Sequence, residues 1–350
     1  MVTETIQINC CPVCGGTRFR PMRKGTYKDM EATYGRCPTC GLTYWKPFPA
    51  DTVLASYYST HFSLPSGQPQ KAQYKMTLAI DFLSRYKYKT LLEVGCGQGH
   101  ALVIAKQQGF DVTGIEIDTR SVKQAAKLYG MHLLVGSPQD VDALTPDRRY
   151  DVICAFDVLE HLNQPNEALD KMISVLEPKG ALVLTTHNMR SIFSRLFGEQ
   201  WRPMISYPGH LTNFTPESLL IMLQKHGLRA ESMRCFGFQL NPPYSMLFAT
   251  LKECLYLDCS SVRRIRPVLL KIVALLLYSV GAVYNHIFSR WSQHKKLETP
   301  SGTEPQSVPL HLFPSWWLWT RLSQLLWPHS VKIMDRLWLS EQFMVIARKE

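Results

Sequence analysis

Leu91–His100 reads LLEVGCGQGH: an apolar run ends in Glu93, and glycines follow at 95, 97 and 99. Glycines at alternate positions let the backbone bend through φ > 0 and lie close against a ligand. Such a loop after a strand cradles a nucleotide. A triphosphate loop needs Lys and Ser/Thr behind its last glycine, but His100 and Ala101 stand there. The dinucleotide fingerprint G-x-G-x-x-G, counted from Gly95, needs a glycine where His100 stands. What remains is Glu93-x-Gly95-x-Gly97-x-Gly99. Glu116 ends the next apolar run, 21 residues after Gly95, and an acid there can accept from both hydroxyls of a ribose.

A second group is Cys11-x2-Cys14 and Cys37-x2-Cys40, separated by 22 residues. This spacing is that of a zinc ribbon. Four thiolates close the coordination sphere, so a metal held there is structural, and a segment with so few core residues needs it to fold. Cys10 is a possible substitute for Cys11. The first ten residues, MVTETIQINC, show no basic start followed by an apolar core, so an exported, disulfide-bonded chain is not expected.

Around these groups the sequence alternates short apolar runs with helical stretches from about residue 76 to 236, the pattern of a parallel α/β sheet. The expected strands are TLLEV, DVTGIEI, HLLV, YDVICAFD, ALVLTT and LRAESMRC. TPESLLIMLQKHG is an expected helix: Thr215 caps it, Pro216 occupies its first turn and Gly227 ends it. Pro178–Gly180 reads as a turn. The expected organisation is a zinc-binding ribbon over 1–50, a connector over 51–75, the α/β core over 76–236, a hydrophobic helical insertion over 237–340, and a last core strand over 341–350.

In this order, the motifs resemble those of class I S-adenosylmethionine-dependent methyltransferases. The acid-glycine loop, GIEID around Glu116, YDVICAFDVLEHL and LEPKGALVLTTHN carry the resemblance. With the cysteine ribbon, GLTYWKPFPADTVLASYYSTHF and GHLTNFTPESLLIMLQKHGL, it extends to bacterial methyltransferases with an N-terminal zinc-binding region, which often act on sugars or secondary metabolites. The resemblance implies a Rossmann-like seven-stranded sheet with S-adenosylmethionine as cofactor. Glu93 and the Gly95, Cys96, Gly97 and Gly99 loop would face the methionine moiety, and Glu116 with Ile117 the ribose side. Ser137, Gln139 and Asp140 compete for the adenine end, and Asp157 closes the fourth core strand.

Methyl transfer is an in-line displacement, so the protein must align nucleophile and methyl in a dry site. A hydroxyl or acidic-carbon acceptor also needs a base. Three histidines stand near expected strand ends, where ligands of open α/β sheets bind: His161, His187 and His210. His210 and His187 are the better placed for the substrate side, and His161 for shaping the cofactor pocket. Tyr57 and Tyr58 could form part of a lid.

The net charge is +11, and residues 260–350 carry 12 Lys/Arg against 5 Asp/Glu, so +7 of it lies at this end. Val268–Phe288 is almost wholly apolar. At about 100° per residue, however, Arg264, Lys271, Ser279, Asn285, His286 and Ser289 share one side, as in a helix lying in an interface. Five of the eight tryptophans lie in 316–338, and Trp prefers the headgroup zone. The expectation is therefore a methyltransferase acting on a small or lipid-linked acceptor (a sugar, glycan precursor or other amphiphile). It would be cytoplasmic and peripheral on an anionic membrane face. Alternatives are a soluble sugar or quinone-type acceptor with the insertion as a cap, and a zinc-ribbon nucleic-acid binder with a degenerate core. Nucleic acid is not the expected partner, because the ribbon lacks dense basic-aromatic interleaving.

Overall fold

The computed structural model describes residues 5–61, 69–191, 206–236 and 342–349, with residues 194, 195, 198 and 201. Everything described belongs to one compact unit. The apolar and Trp-rich segments of 237–340 lie outside the described residues. Among the described residues, no helix is long and apolar enough to cross a membrane.

The chain begins with β1 (Thr5–Ile6), β2 (Arg20–Tyr27), β3 (Met30–Arg36), β4 (Thr43–Lys46) and β5 (Phe48–Pro49). The segment read as a connector, 51–75, carries α1 (Asp51–His61) and the start of α2 (Pro69–Leu83), which runs on into the expected core. The core follows as β6 (Thr90–Val94), α3 (His100–Gln107), β7 (Asp111–Glu116), α4 (Thr119–Tyr129), β8 (Leu134–Val135), α5 (Val141–Leu144) and β9 (Tyr150–Phe156). It continues with α6 (Pro165–Ser174), β10 (Leu176–His187), β11 (Thr212–Asn213), α7 (Pro216–Lys225), β12 (Leu228–Phe236) and β13 (Gln342–Lys349). Short 3-10 turns cover Pro138–Asp140 and Leu159–His161.

The seven-stranded α/β sheet expected from the sequence is present, in the order β12-β13-β10-β9-β6-β7-β8. Strands β6 to β10 run parallel, and β13 inserts antiparallel between β10 and β12. The central strands are buried on both faces, as the covered sheet of an α/β protein requires: Leu91, Leu92, Val152, Ile153, Leu182 and Val183 have no exposed surface. The turn expected at Pro178–Gly180 is an irregularity inside β10, where pairing with β9 shifts between Leu176 and Ala181 and Lys179 takes φ 68°. α7 is capped as expected, with the Thr215 side chain accepting from the Ser218 amide and Gly227 at φ 69°.

β2, β3 and β4 form an antiparallel meander, and β11, from the core, adds to its β4 edge. A sheet built mainly from the N-terminal region thus draws its last strand from residues 212–213.

Candidate active site

The loop between β6 and α3 lies at the carboxyl end of the sheet. Gly95, Gly97 and Gly99 have φ of 71°, 54° and 76°, a region costly for residues with a Cβ. At Gly95 the restriction is also spatial, since a Cβ would come within 2.7 Å of Val158 Cγ2. At Gly97 a Cβ would meet nothing within 4 Å among the described residues. The Gly97 amide donates to Glu116 Oε2 at 2.7 Å and the Asp118 amide to Glu116 Oε1 at 2.9 Å. Burial pushes the Glu116 carboxyl up from its ordinary value. The Cys96 side chain turns inward against Gly114, and its amide donates to Ile115 O. His100, first in α3, places Nδ1 2.6 Å from Tyr129 Oη, tying the loop's exit to α4.

Glu93 lies behind the loop, 3% exposed, with Oε2 buried and without a partner among the described residues. Burial pushes its carboxyl up to about 8; the Lys75 charge opposes the shift and Glu116 adds to it. An orphaned carboxylate oxygen beside a glycine cradle suits a cationic ligand group. Further along the sheet Ile117 is 51% exposed, an apolar surface next to Glu116. Ser137 donates to Asp140 Oδ2 at 2.6 Å through its hydroxyl and at 2.9 Å through its amide. These two candidates for the adenine end are therefore tied to each other, with Gln139 in the same turn.

Asp157 follows β9 in a left-handed conformation, φ 56°, uncommon for a residue with a side chain and frequent at functional sites. Its carboxylate is the meeting point of Lys75, with which it forms a close ion pair, and Lys71, at 3.4 Å. Thr185 donates to Oδ1 at 2.9 Å and Gln342 to both oxygens at 3.1 and 3.2 Å. Burial would raise this carboxyl, but the charges of Lys75, Lys71 and His187 hold it well below its ordinary range. Burial lowers Lys75 to about 8 despite the Asp157 charge.

The three histidines singled out from the sequence come together. The His210 ring lies between those of His161 and His187, 4.8 Å from each centroid to centroid. His161 Nδ1 is 2.6 Å from Gly209 O. His187 Nδ1 lies 3.3 Å from Oε1 of Glu160, whose side chain is fully buried. Among the described residues neither Glu160 oxygen has a hydrogen-bond partner, so the imidazole faces a carboxylate with capacity to accept. Tyr58 Oη donates to Gly209 O at 3.2 Å and Tyr57 packs edge-on against Tyr58. Trp201 lies beyond His187 at 6.1 Å. The result is a wall of rings at the carboxyl ends of β9 and β10.

Cys11, Cys14, Cys37 and Cys40 converge, with all four sulfurs within 4.8 Å of one another. Sγ–Sγ separations are 3.6 Å for Cys11–Cys40 and 3.5 Å for Cys14–Cys37. A tetrahedral zinc with bonds of about 2.3 Å needs sulfurs about 3.8 Å apart, so the donor set fits. Gly15 and Gly41, at φ 72° and 82°, close the two turns. Although burial opposes it, amides of Cys40 and Thr39 bring the Cys37 thiol down to about 7.

Sheet order and glycine loop together define a class I S-adenosylmethionine-dependent methyltransferase domain, and residues 70–233 match the family model described as a methyltransferase domain. Among curated relatives, a 2-methyl-6-phytyl-1,4-hydroquinone methyltransferase of Synechocystis is 30% identical over 154 residues, covering 40% of this chain and 48% of its own length. A ubiquinone biosynthesis O-methyltransferase of Bordetella avium is 28% identical over 167 residues, covering 44% and 67%. A protein of the same description from Psychrobacter arcticus is 34% identical over 110 residues, covering 29% and 41%. The chain thus spans about half the length of the curated relatives it matches. A solved S-adenosylmethionine-dependent methyltransferase of Archaeoglobus fulgidus is 15% identical with a TM-score of 0.41, covering 81% of this chain and 100% of its own. That degree of likeness adds no argument.

Sequence reasoning passed over Lys75, Lys71, Glu160 and Gln342. The signal for Glu160 was its place beside His161 in LEHL. For Lys75 it was a charge amid the apolar positions of a helix.

Proposed function

We propose that the chain methylates a hydroxyl on a small, ring-bearing acceptor, with His210 and His187 as the groups that receive its proton. When bound, S-adenosylmethionine supplies an electrophilic methyl on a sulfonium. Glu93 and the Gly95–Gly99 loop hold its methionine end, Glu116 its ribose, and Ile117 with the Ser137–Gln139 turn its adenine. Asp157, fixed by Lys75, Thr185 and Gln342, shapes the floor between cofactor loop and histidines. A hydroxyl of the acceptor hydrogen-bonds to His210 or His187 and loses its proton as the new bond forms. Glu160 holds His187 in orientation and can accept from its Nδ1. Zinc on the four cysteines has no open position and serves structure alone.

The observation that carries this reading is the cluster of His161, His210 and His187 at the strand ends, the His210 ring tilted 53° and 51° against the other two, backed by a buried carboxylate and flanked by Tyr57, Tyr58 and Trp201. Aromatic faces suit a flat ring, and the curated relatives carry hydroquinone and ubiquinone names. We extend the proposal to an acceptor with an apolar tail. The basic, Trp-rich residues 262–338 would bring the chain to the inner face of the cytoplasmic membrane. Unchanged membrane pelleting after deletion of 262–338 would refute that extension.

The test is transfer from methyl-labelled S-adenosylmethionine to a hydroquinone bearing a short prenyl chain, with a nucleotide-linked sugar as rival, and products partitioned between organic solvent and water. Label in the organic phase supports the reading. Label only on the sugar overturns the ring-bearing acceptor and returns the insertion to the role of a cap.

A further inference from the structure

The short strand β11 is held by a closed ring of buried side chains. Asn213 Nδ2 donates to Tyr34 Oη at 3.1 Å, Tyr34 Oη donates to Thr43 Oγ1 at 2.6 Å, and Thr43 Oγ1 donates back to Asn213 O at 3.3 Å. Tyr34 and Asn213 are fully buried and Thr43 nearly so. The backbone of the same stretch is tied on two sides. Trp45 N donates to Leu211 O at 3.0 Å, and Leu211 N donates to Glu160 O at 2.7 Å. Leu211 directly follows His210, and Glu160 directly precedes His161.

β11 pairs with β4 through only two residues, Thr212↔Tyr44 and Asn213↔Thr43. So short a ladder specifies register weakly, and a slip of one residue would turn every side chain to the opposite face. The side-chain ring supplies what the ladder lacks. It also links β11 to the cysteine cluster, because Tyr34 stands three residues before Cys37 and Thr43 three residues after Cys40. The two ribbon members of the ring thus flank the second knuckle.

We infer that Tyr34 is a positioning residue of the methyltransferase site: through Thr43 and Asn213 the cysteine ribbon fixes the register of β11 and with it the place of His210 between His161 and His187. The catalytic part rests on the proton-accepting role of His210 proposed above. Tyr34, fully buried, is assigned no contact with acceptor or cofactor, and acts only by where it holds the chain.

The experiment uses the full chain with Tyr34→Phe, which keeps the ring packed on Trp45 and removes the hydroxyl. The expected result is faster amide exchange at residues 211–214, by about tenfold or more, with exchange in β6 and β9 unchanged. Zinc content and the Kd for S-adenosylmethionine stay within about twofold. With the prenylated hydroquinone as probe, kcat falls about tenfold with little change in KM. Thr43→Val should reproduce this pattern, and the double variant should add little, because both changes open the same ring. Unchanged exchange at 211–214 in both variants would overturn the inference. Faster exchange with unchanged kcat would leave Tyr34 as the holder of β11 and overturn the role given to His210. Should Tyr34→Phe lose zinc, Thr43→Val alone decides by the same measures.

Discussion

Gln342 donates its side-chain amide to both oxygens of Asp157, at 3.1 and 3.2 Å. The two residues are 185 positions apart, yet they join the first residue of the last strand to the end of β9. With Lys75 and Thr185 they surround a carboxylate that would otherwise repel burial.

Asp157→Asn should therefore be strongly destabilising. It leaves the ammonium of Lys75, 4% exposed, without its counter-charge, and breaking one partner of such a pair costs roughly 3–5 kcal/mol. Because its folded pKa lies well below the ordinary value, Asp157 contributes stability that is present above about pH 4 and lost as pH falls further. Urea melts from pH 3 to 7 should show the wild type losing this contribution on acidification and Asp157→Asn lacking it throughout.

Glu93 carries the opposite sign. Its carboxyl is raised to about 8, so its contribution is fully present below about pH 4.3 and is lost as pH rises to about 8. Glu93→Gln should flatten that slope and melt higher than wild type at pH 9 without ligand, a gain on the order of a few kcal/mol. Calorimetry should show the same variant binding S-adenosylmethionine more weakly.

Metal analysis should find about one zinc per chain, as a closed four-thiolate site requires. Cys37→Ser should lose it, and the ribbon strands should exchange their amides faster while β6 and β9 keep theirs. Retention of stoichiometric zinc by a Cys14→Ser, Cys37→Ser double variant would discard the cluster as the metal site.

His210→Gln and His187→Gln should each lower kcat by roughly 100-fold, the lower end of what a positioned base contributes, with little change in the Kd for S-adenosylmethionine. A weakened Kd with unchanged kcat in either would reassign that histidine to the cofactor pocket.

Much of this was legible before the fold. The loop from Glu93 to Gly99 announces itself because only glycines tolerate its backbone, and the four cysteines because their spacing is that of a chelate. The three histidines could be nominated from strand ends, but their convergence into one cluster could not. His210 reaches the others by a chain path through 206–214 that has no periodicity. β11 escaped notice because two residues carry no alternating pattern. Lys75 escaped because a lysine within a helix reads as solvent-facing until a neighbouring carboxylate is placed beside it. Only the fold puts the fully buried carboxylate of Glu160 against His187. Tyr34 and Asn213 are far apart in sequence, and nothing local marks them as partners.

Phe236 and Gln342 face each other across the β12–β13 ladder, so residues 237–341 leave and rejoin the core at one doorstep. Closing a chain of that length rather than a five-residue turn costs about 3 kcal/mol in chain entropy. That sum is small beside the burial of β13, whose central residues are almost wholly covered. A graft of a different length or composition spliced between these two strand ends should therefore leave the sheet with the same edges, which amide exchange in β12 and β13 would check. In such a graft Gln342 must stay at the rejoining end to hold Asp157.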